Sequence, residues 1–522
     1  MTRSATALTR EPMIAADGLE EIARLELGDA AATERLGADL AMMLRPGDVV
    51  ALCGDLGAGK STLARAAIRH LARDASLEVP SPTYTLVQAY DTAPKIAHFD
   101  LYRIGGDDEL DELGFDELVE AGIALVEWPQ NAPRVLSQAG LVVSLDMAAG
   151  GGRVAVLGGR GEAAERARRT LAIRSFLAGA GLADAERRRF FGDASTRRYE
   201  TVHTGTAEPL ILMDAPHQPD GPPVRDGLPY SRIAHLAEDV IPFVAIADAL
   251  TAAGFAAPAI HRADLDHGLL LIEHLGDETL LDAAGRPVAE RYEAAVLCLA
   301  DLHETAWPSD LPVAGGGVYT VPLFDPGAMA IEVDLLPDWY LPRAKGRTAT
   351  AAERASFAGI WADLFAEVRA TETSLVLRDF HSPNVIWRPR ETGRRRIGLI
   401  DFQDAVIGPS AYDVAALAQD ARVDVPAALE ARLREAYVAR RTAGDPGFDA
   451  AGFERAYSIM AAQRASKVLG IFVRLLERDG KPQYLRHIPR IKTYLGRTLG
   501  HPSLAALKAL YAAWGVLDDE AS

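Results

Sequence analysis

Gly54-Asp55-Leu56-Gly57-Ala58-Gly59-Lys60-Ser61 decides the fold of the first part of this chain, because it fits the pattern G-x-x-x-x-G-K-[ST]. The apolar run before it, residues 48–53, predicts a buried strand. After it, Leu63, Ala67 and Leu71 recur at helical spacing and predict an amphipathic helix. A strand, a glycine loop and a helix in this order form a P-loop, which binds nucleotide phosphates and Mg²⁺.

Length and composition indicate a globular protein of more than one domain. The chain has 522 residues, 49% hydrophobic and 25% charged, which allows two or three domains of about 100–200 residues each. A net charge of −18 disfavours a free-standing nucleic-acid binder, since neutralising phosphates needs concentrated Lys and Arg. The two cysteines, Cys53 and Cys298, predict buried thiols in a reducing cytoplasm rather than a disulfide.

The pattern of apolar runs changes near residue 168. We therefore predict a mobile N-terminal tail over residues 1–25, a first domain over 26–168 and a second over 169–522. The first domain alternates strands and helices, with strands predicted at 95–99, 123–126, 141–145 and 154–157, the last two as a hairpin. In the second domain, strands are predicted at 209–213 and 268–273, a loop at 308–330 and helices throughout 421–518.

A second set of phosphate-handling residues lies in Arg378-Asp379-Phe380-His381-Ser382-Pro383-Asn384 and Ile400-Asp401-Phe402. The spacing of Asp379, Asn384 and Asp401 matches the catalytic and metal loops of kinase-like phosphotransferases. Asp379 is the expected proton acceptor. Asn384 and Asp401 are expected to hold Mg²⁺ against ATP, because hard oxygen ligands suit that ion. The predicted fold class is an α/β P-loop domain followed by a bilobal, protein-kinase-like α+β domain with a helical C-terminal region.

Residues 26–160 resemble the TsaE family, the ATPase component of the bacterial machinery that makes threonylcarbamoyladenosine at position 37 of tRNA. The P-loop carries this resemblance together with three ordered stretches: Ser81-Pro82-Thr83-Tyr84-Thr85-Leu86-Val87, His98-Phe99-Asp100-Leu101-Tyr102-Arg103 and Val126-Glu127-Trp128. The resemblance implies ATP and Mg²⁺ as cofactors. It also implies partner proteins of the threonylcarbamoyl transferase complex, with tRNA reached only through them.

The same resemblance implies roles for individual residues. Thr83 is expected to sense the γ-phosphate from a switch-like loop, and Trp128 to pack near the nucleotide. Ser61, Asp100 and Glu127 are expected around Mg²⁺, with Glu127 also orienting the attacking water. The structural alternatives are a helix cap for Asp100 and simple core packing for Trp128. The phosphate-binding set comprises Gly54, Asp55, Leu56, Gly57, Ala58, Gly59, Lys60, Ser61 and Thr62.

Residues 169–510 resemble the aminoglycoside phosphotransferase superfamily. Within it they are similar to the AmgK kinases, which phosphorylate the anomeric hydroxyl of N-acetylmuramate and N-acetylglucosamine in peptidoglycan recycling. The resemblance is carried by Gly192-Asp193-Ala194-Ser195-Thr196-Arg197-Arg198-Tyr199, Met213-Asp214-Ala215-Pro216, Glu273-His274-Leu275-Gly276, Leu377-Arg378-Asp379-Phe380-His381 and Ala462-Gln463-Arg464-Ala465-Ser466-Lys467-Val468-Leu469-Gly470. It implies an ATP-binding set of Ser195, Thr196, Arg197 and Arg198, with Glu273 and Leu275 at the hinge that meets adenine.

Two departures from the family pattern leave alternatives open. Leu377-Arg378-Asp379 stands where drug-modifying relatives carry His-Gly-Asp, and the predicted strand 209–213 lacks the kinase lysine. Arg197 or Arg198 could supply that charge, or both could be solvated loop residues. An aminoglycoside-type kinase and a nucleotide-binding scaffold without catalysis are therefore the alternatives to an amino-sugar kinase.

Overall fold

The computed structural model of the chain describes residues 18–190, 197–205 and 208–518. It divides into two compact units, Met1–Leu212 and Met213–Ser522. The sequence-based boundaries at residues 26 and 168 stay predictions; in the structure the first strand begins at Glu20, and residue 168 lies within a helix. Among the described residues, no helix is both long and apolar enough to cross a bilayer.

A seven-stranded sheet in the order β1-β7-β6-β2-β5-β4-β3 forms the centre of the first unit. The elements of this unit are β1 (Glu20–Leu27), α1 (Ala30–Ala41), β2 (Val49–Cys53), α2 (Lys60–Ala72), β3 (Val87–Tyr90), β4 (Ile96–Asp100), α3 (Asp107–Glu112), α4 (Phe115–Ala121), β5 (Ile123–Glu127), α5 (Pro133–Gln138), β6 (Leu141–Met147), β7 (Arg153–Gly159), α6 (Gly161–Ala178), β8 (Glu186–Phe190), β9 (Arg198–His203) and β10 (Leu210–Asp214), in which the division between units falls. Each strand predicted between residues 48 and 157 is confirmed.

The central strands of this sheet are buried on both faces. β2 pairs in parallel with β5 and β6, and β4 pairs in parallel with β5. Along β2, Val50 belongs to the same apolar cluster as Leu63 of α2, while Val49 belongs to a second cluster with Phe115 of α4. Because these strands run parallel, the carboxyl ends of β2, β4 and β5 lie at one edge of the sheet, and the residues that follow them meet there.

The second unit combines short strands with a largely helical C-terminal half. Its elements are β11 (Pro223–Arg225), β12 (Leu228–Pro229), α7 (Tyr230–Ile233), α8 (Ile241–Ala252), β13 (Ile260–Asp264), β14 (Leu269–Glu273), α9 (Ala289–Glu304), β15 (Asp310–Pro312), β16 (Val318–Thr320), α10 (Pro326–Val333), a π-helical turn (Leu336–Tyr340), α11 (Leu341–Lys345), α12 (Ala351–Arg369), β17 (Thr373–Val376), β18 (Val385–Trp387), β19 (Ile397–Leu399), β20 (Val406–Pro409), α13 (Ala411–Ala418), α14 (Ala427–Gly444), α15 (Ala450–Glu477), α16 (Ile488–Thr498) and α17 (Ala505–Trp514).

Two antiparallel pairs position the second motif. β17 pairs with β20, and β18 pairs with β19 so that Val385 faces Leu399. Asn384 directly precedes β18, and Asp401 follows shortly after the end of β19. Because Val385 and Leu399 are paired, Asn384 and Asp401 lie at the same end of this strand pair. The loop predicted over 308–330 is wrong, because this segment forms the β15–β16 hairpin and the start of α10. Its proline and glycine residues occupy strand ends, the hairpin turn and the first turn of the helix.

Candidate active sites

The P-loop joins the carboxyl end of β2 to the first turn of α2. Gly54, Gly57 and Gly59 adopt positive φ angles of 137°, 78° and 111°. A Cβ at Gly54 would lie 2.3 Å from the carbonyl oxygen of Leu145, so this position requires glycine. A glycine loop at a helix N-terminus presents backbone N–H groups to an anion, which is the geometry that the sequence motif predicts.

Lys60 is the buried cation of this loop, with 4% of its surface exposed. Its Nζ donates hydrogen bonds to the carbonyl oxygens of Gly54 at 2.8 Å and Asp55 at 3.0 Å. The same atom lies 3.8 Å from the centre of the Trp128 ring. Burial lowers the pKa of Lys60, while the carboxylate of Glu127 opposes that shift. Phosphate oxygens would offer this ammonium group a charged partner in place of neutral carbonyls.

Glu127, at the end of β5, accepts hydrogen bonds from two sides. Ser61 Oγ donates to its Oε2 at 3.0 Å, and His98 Nε2 lies 2.9 Å from its Oε1. Glu127 and His98 are 2% and 1% exposed, so the carboxylate has little freedom to rotate. The structure thus joins Ser61 and Glu127, which the sequence assigned to one metal site, and adds His98 as the group that fixes the carboxylate.

Asp100, at the end of β4, is in register with Glu127 on the neighbouring strand. Its Oδ2 accepts hydrogen bonds from Ser81 Oγ at 2.9 Å and Thr83 Oγ1 at 2.8 Å. The next helix is α3, whose N-cap is Gly106, so the alternative role of Asp100 as a helix cap is excluded. Asp100 instead connects the sheet edge to the segment that contains Thr83.

Trp128 is half-buried and packs against the apolar core on one face of the sheet. Its ring lies 5.0 Å from that of Tyr102, between centroids, and faces the ammonium group of Lys60. Its backbone adopts a left-handed conformation with φ of 56°. The side chain therefore borders the phosphate-binding lysine, as the resemblance implied, although contact with a nucleotide stays a prediction.

In the second unit, Asp379 lies in a loop that a buried carboxylate holds in place. Asp413 Oδ2 accepts a hydrogen bond from the backbone N–H of Leu377 at 2.6 Å, and its Oδ1 accepts one from that of Arg378 at 2.9 Å. Arg378 itself has a positive φ of 66° and is 1% exposed. Such a backbone is unfavourable for a side chain as large as arginine, and these bonds offset that cost at the residue before Asp379.

Asn384 connects the two loops of the predicted kinase site. Its Nδ2 donates to the carbonyl oxygen of Asp379 and to Oδ2 of Asp401, both at 3.0 Å. Gln403 Nε2 donates to the other carboxylate oxygen of Asp401 at 2.9 Å. The three residues that the sequence spacing singled out are therefore adjacent in the folded chain.

Basic side chains lie near Asp379, whose own side chain is 37% exposed. His381 Nε2 and Arg464 Nη1 lie 3.9 Å and 4.0 Å from its Oδ1. Although desolvation opposes it, the pKa of Asp379 is held below the usual value by His381, Lys467 and Arg464. Asp379 is therefore ionised at neutral pH and can accept a hydrogen bond from a substrate hydroxyl.

A buried ionic cluster lies next to the loop that contains Asp379. The sequence motifs did not indicate a role for this cluster. Glu332, which is fully buried, pairs with the guanidinium of Arg378 and accepts from Lys467 Nζ at 2.6 Å. Gln463 Nε2 donates to the second oxygen of Glu332 at 2.9 Å. Lys467 and Gln463 fall within one of the stretches that carried the family resemblance, but nothing in the sequence pairs them with Glu332, since the partners lie on α10 and α15.

The oxygen ligands of both sites suit Mg²⁺, which prefers carboxylate, amide and hydroxyl oxygens. Ser61, Asp100 and Glu127 would hold it in the first unit, and Asn384 and Asp401 in the second. No cluster of three or more His, Cys, Asp or Glu side chains arranged for a metal occurs in residues 18–190, 197–205 or 208–518. A magnesium ion in either site would thus share its coordination with nucleotide phosphates and water.

The remaining predicted ATP contacts stay predictions. Ser195 and Thr196 lie outside the described residues, and Arg197 and Arg198 lie at the start of β9 in the first unit. In the second unit, the Glu273 carboxylate accepts from the backbone N–H of Ala259 at 3.2 Å. Leu275, the other predicted hinge residue, is 8% exposed.

Two family profiles match the chain over separate stretches. The profile for the threonylcarbamoyl adenosine biosynthesis protein TsaE matches residues 27–154. The profile for the phosphotransferase enzyme family matches residues 186–452. Both resemblances inferred from the sequence motifs are confirmed.

Curated proteins similar to the chain fall into the same two groups. An N-acetylmuramate/N-acetylglucosamine kinase from Caulobacter vibrioides is 37% identical over 353 residues, covering 66% of this chain and 96% of that protein. A kinase with the same description from Pseudomonas putida is 35% identical, covering 61% of this chain and 86% of that protein. A tRNA threonylcarbamoyladenosine biosynthesis protein TsaE from Rickettsia felis is 37% identical over 124 residues, covering 24% of this chain and 72% of that protein.

Proposed function

We propose that this chain carries two separate ATP-dependent activities. It belongs to the TsaE family over residues 27–154 and to the phosphotransferase enzyme family over residues 186–452. The first unit hydrolyses ATP in the synthesis of threonylcarbamoyladenosine at position 37 of tRNA. The second transfers a phosphoryl group from ATP to the anomeric hydroxyl of N-acetylmuramate or N-acetylglucosamine. The connection of Asp379, Asn384 and Asp401 through one amide group is the observation that carries the kinase assignment.

In the kinase reaction, Asp379 accepts the proton of the anomeric hydroxyl as that oxygen attacks the γ-phosphorus of ATP. The new bond joins the sugar oxygen to phosphorus, the bond from the γ-phosphorus to the bridging oxygen breaks, and ADP leaves. Asn384 and Asp401 would hold Mg²⁺, which neutralises charge on the ATP phosphates. His381 is neutral at pH 7, since burial lowers its pKa to about 4.

In the ATPase reaction, Lys60 and the P-loop amides hold the phosphates while Glu127 orients a water molecule. Its contacts with Ser61 and His98 fix the carboxylate at the end of β5. Thr83 and Asp100 would couple the loop after α2 to the γ-phosphate, since their side chains are already hydrogen-bonded. Mg²⁺ would be held by Ser61, Asp100 and Glu127.

The partners follow from the TsaE family membership. We propose that the first unit works with proteins of the threonylcarbamoyl transferase complex, and that tRNA is reached through them. A cytoplasmic location fits a protein that uses ATP and has two free, buried cysteines, Cys53 and Cys298.

The charges around Asp379 favour an amino sugar over an aminoglycoside. Aminoglycosides are polycations, and Arg464 and Lys467, the charged basic groups near Asp379, contribute no negative charge that would attract them. N-acetylmuramate carries a carboxylate, which these cations would attract. The alternative of a scaffold without catalysis is disfavoured because the carboxylate of Asp379 has a lowered pKa and a 37% exposed side chain.

Steady-state phosphorylation assays on the full chain test the kinase assignment. N-acetylmuramate, N-acetylglucosamine and kanamycin are each supplied with ATP and Mg²⁺, and the sugar phosphate is measured directly. We expect product with the two amino sugars, and a loss of turnover of about 10²–10⁴-fold in Asp379→Asn with little change in the KM for ATP. Turnover of kanamycin alone, or unchanged turnover in the variant, would contradict the proposal.

A further inference from the structure

A cavity of about 700 Å³ lies in the first unit between the helices α1 and α2 and the β8–β9 hairpin. The residues that line it lie between 31 and 93, between 174 and 190, and at Thr201 and His203. The TsaE profile ends at residue 154 and the phosphotransferase profile begins at residue 186, so the cavity forms where the two family segments meet. Neither segment alone contains the whole wall, which makes the cavity a property of this joined chain.

Positive charge exceeds negative charge on this wall. Eight guanidinium groups line the cavity, those of Arg35, Arg65, Arg69, Arg73, Arg174, Arg187, Arg188 and Arg189. Five carboxylates line it as well, those of Glu34, Asp39, Asp74, Asp184 and Glu186. In a chain whose net charge is −18, this local excess of cations is opposite in sign to the protein as a whole.

Some of these arginines are committed to the fold. Arg174 and Arg187 share the carboxylate of Asp39, and Arg187 also pairs with Glu200 on β9. Arg188 pairs with its neighbour Glu186. These ion pairs connect the β8–β9 hairpin to α1. The charges of the three arginines are therefore already balanced by carboxylates and are less available to a ligand.

Three other arginines donate hydrogen bonds to backbone carbonyl oxygens. Arg65 Nε donates to the carbonyl oxygen of Val79 at 3.1 Å, and Arg69 Nε to that of Leu77 at 2.9 Å. Arg189 Nη2 donates to the carbonyl oxygens of Met42 at 2.6 Å and Leu44 at 3.4 Å. Within the described part of the chain, no carboxylate oxygen lies within 4.0 Å of these three guanidinium groups.

The positions of these three groups suit a multiply charged anion. Arg65 and Arg69 are one turn apart on α2, a rise of about 6 Å, and each retains N–H donors beyond the one that its Nε uses. Arg189 reaches the same cavity from β8. Burial lowers the pKa of Arg189, and the charges of Arg198 and Arg45 lower it further. The carboxylate of Glu200 raises this pKa but does not cancel the decrease. An anion bound here would stabilise the charged form of this guanidinium group.

We propose that this cavity binds a small phosphorylated molecule with at least two negative charges, held by Arg65, Arg69 and Arg189. Planar guanidinium groups pair with phosphate oxygens through two parallel hydrogen bonds. The volume falls within the roughly 300–1,000 Å³ of small-molecule pockets, which favours a free ligand over a nucleic-acid strand. Phe190, 44% exposed on the cavity wall, offers a ring against which a sugar or base can pack. The site is distinct from both active sites and extends the proposed function.

Residue-resolved arginine modification on the full chain tests this proposal. The chain is treated with phenylglyoxal with and without inorganic pyrophosphate, and the modified residues are identified by mass spectrometry. We expect pyrophosphate to slow modification of Arg65, Arg69 and Arg189 several-fold. The control is Arg24 on β1, which is exposed and pairs with Glu21 outside this cavity; its rate should not change. Arg153, bonded to the P-loop carbonyl of Ala58, reports binding at the P-loop separately.

Equal protection of Arg24 would show a general effect of ionic strength and overturn the proposal. Protection confined to Arg153 would also overturn it, as would protection by a short RNA but not by pyrophosphate. Because these readings come from the parent chain, they do not depend on a variant folding correctly.

Calorimetric titration gives a second measurement. In a Lys60→Ala background, which removes the P-loop cation, pyrophosphate binding is compared with and without Arg65→Gln and Arg189→Gln together. We expect affinity to fall at least about tenfold in that variant and to change by less than about twofold in the matched control Arg24→Gln. Equal affinities would overturn the proposal.

Discussion

Each candidate active site contains a carboxylate whose position is supported by hydrogen bonds from neighbouring residues. Glu127 is fixed by Ser61 and His98, and the loop that carries Asp379 is fixed by Asp413. A carboxylate fixed before the substrate arrives does not have to be reoriented during the reaction. At the scale of the residue, catalysis in each unit is therefore expected to depend on groups that do not themselves touch substrate.

The first prediction concerns Glu127→Gln. ATP affinity should change little, because Lys60 and the P-loop amides still hold the phosphates. Hydrolysis should fall by about 10²–10⁴-fold, because the group that orients water has lost its charge. Single-turnover hydrolysis and fluorescent-nucleotide titration, with Arg24→Gln as the control, separate the two effects. Hydrolysis at the parent rate would remove Glu127 from the catalytic residues.

The second prediction concerns the stability of the chain in mild acid. Burial lowers the pKa of His381 from 6.5 to about 4, so between these pH values the unfolded chain binds a proton that the folded chain does not. Stability should therefore fall as pH drops, by about 2 kcal/mol between pH 7 and pH 5 from this residue. Urea unfolding of the parent and of His381→Asn at both pH values measures the difference between the two slopes.

A His381→Asn variant that loses as much stability as the parent would contradict this assignment. Below pH 4 the contribution should level off, because His381 then binds its proton in both states.

At the scale of elements, the 28-residue helix α15 organises the helical half of the second unit. Its buried residues include Gln463, Arg464 and Ser466, which precedes Lys467. One helix therefore supplies several groups near the loop that contains Asp379. The π-helical turn Leu336–Tyr340 follows α10 and packs on the same helix. The helix must approach this turn closely, and Gly470 is the residue that permits it.

The third prediction compares two helix glycines. A Cβ at Gly470 would lie 2.3 Å from the carbonyl carbon and oxygen of Leu335, whereas nothing lies within 4 Å of a Cβ at Gly359 on α12. Gly470→Ala should destabilise the chain by about 1–3 kcal/mol through overpacking. Gly359→Ala should stabilise it by up to about 1 kcal/mol, since alanine favours an exposed helix position. Urea unfolding measures both.

Similar shifts in the two glycine variants would show that helix propensity, rather than the approach of α15 to Leu335, decides the stability at Gly470.

At the scale of the whole molecule, the proposed catalytic and metal-binding residues of the two reactions lie in different units. The groups from Gly54 to Trp128 lie in the first unit, and those from Asp379 to Asp401 lie in the second. Because these two groups of residues share no member, the two activities are expected to be separable by single substitutions.

The fourth prediction is that Lys60→Ala abolishes nucleotide binding in the first unit and leaves sugar phosphorylation unchanged. The lysine is the buried cation of the P-loop, and its loss removes the charge that faces the phosphates. Initial rates of sugar phosphate formation, with Asp379→Asn as the opposite control, check this. If a folded Lys60→Ala chain no longer phosphorylates sugar, the two activities are coupled.

Three features could be predicted from the sequence because each is a local pattern: the P-loop, the acidic residues at strand ends, and the set Asp379, Asn384 and Asp401. Gly54 to Ser61 are contiguous, and Asp379 and Asn384 belong to one loop, so their spacing already limits how they can lie. The predicted loop over 308–330 was wrong because prolines and glycines mark strand ends and helix starts as well as loops.

The sequence by itself determined the two families, the α/β and α+β classes and the candidate phosphate-binding residues, because short-range backbone geometry and side-chain chemistry specify them. Only the tertiary structure decided which buried partners orient those residues, namely His98 for Glu127 and Glu332 for Arg378. It alone also brought Arg65, Arg69 and Arg189 to one cavity. These contacts join residues that are far apart along the chain, and such pairings depend on how sheets and helices pack, which no local pattern records.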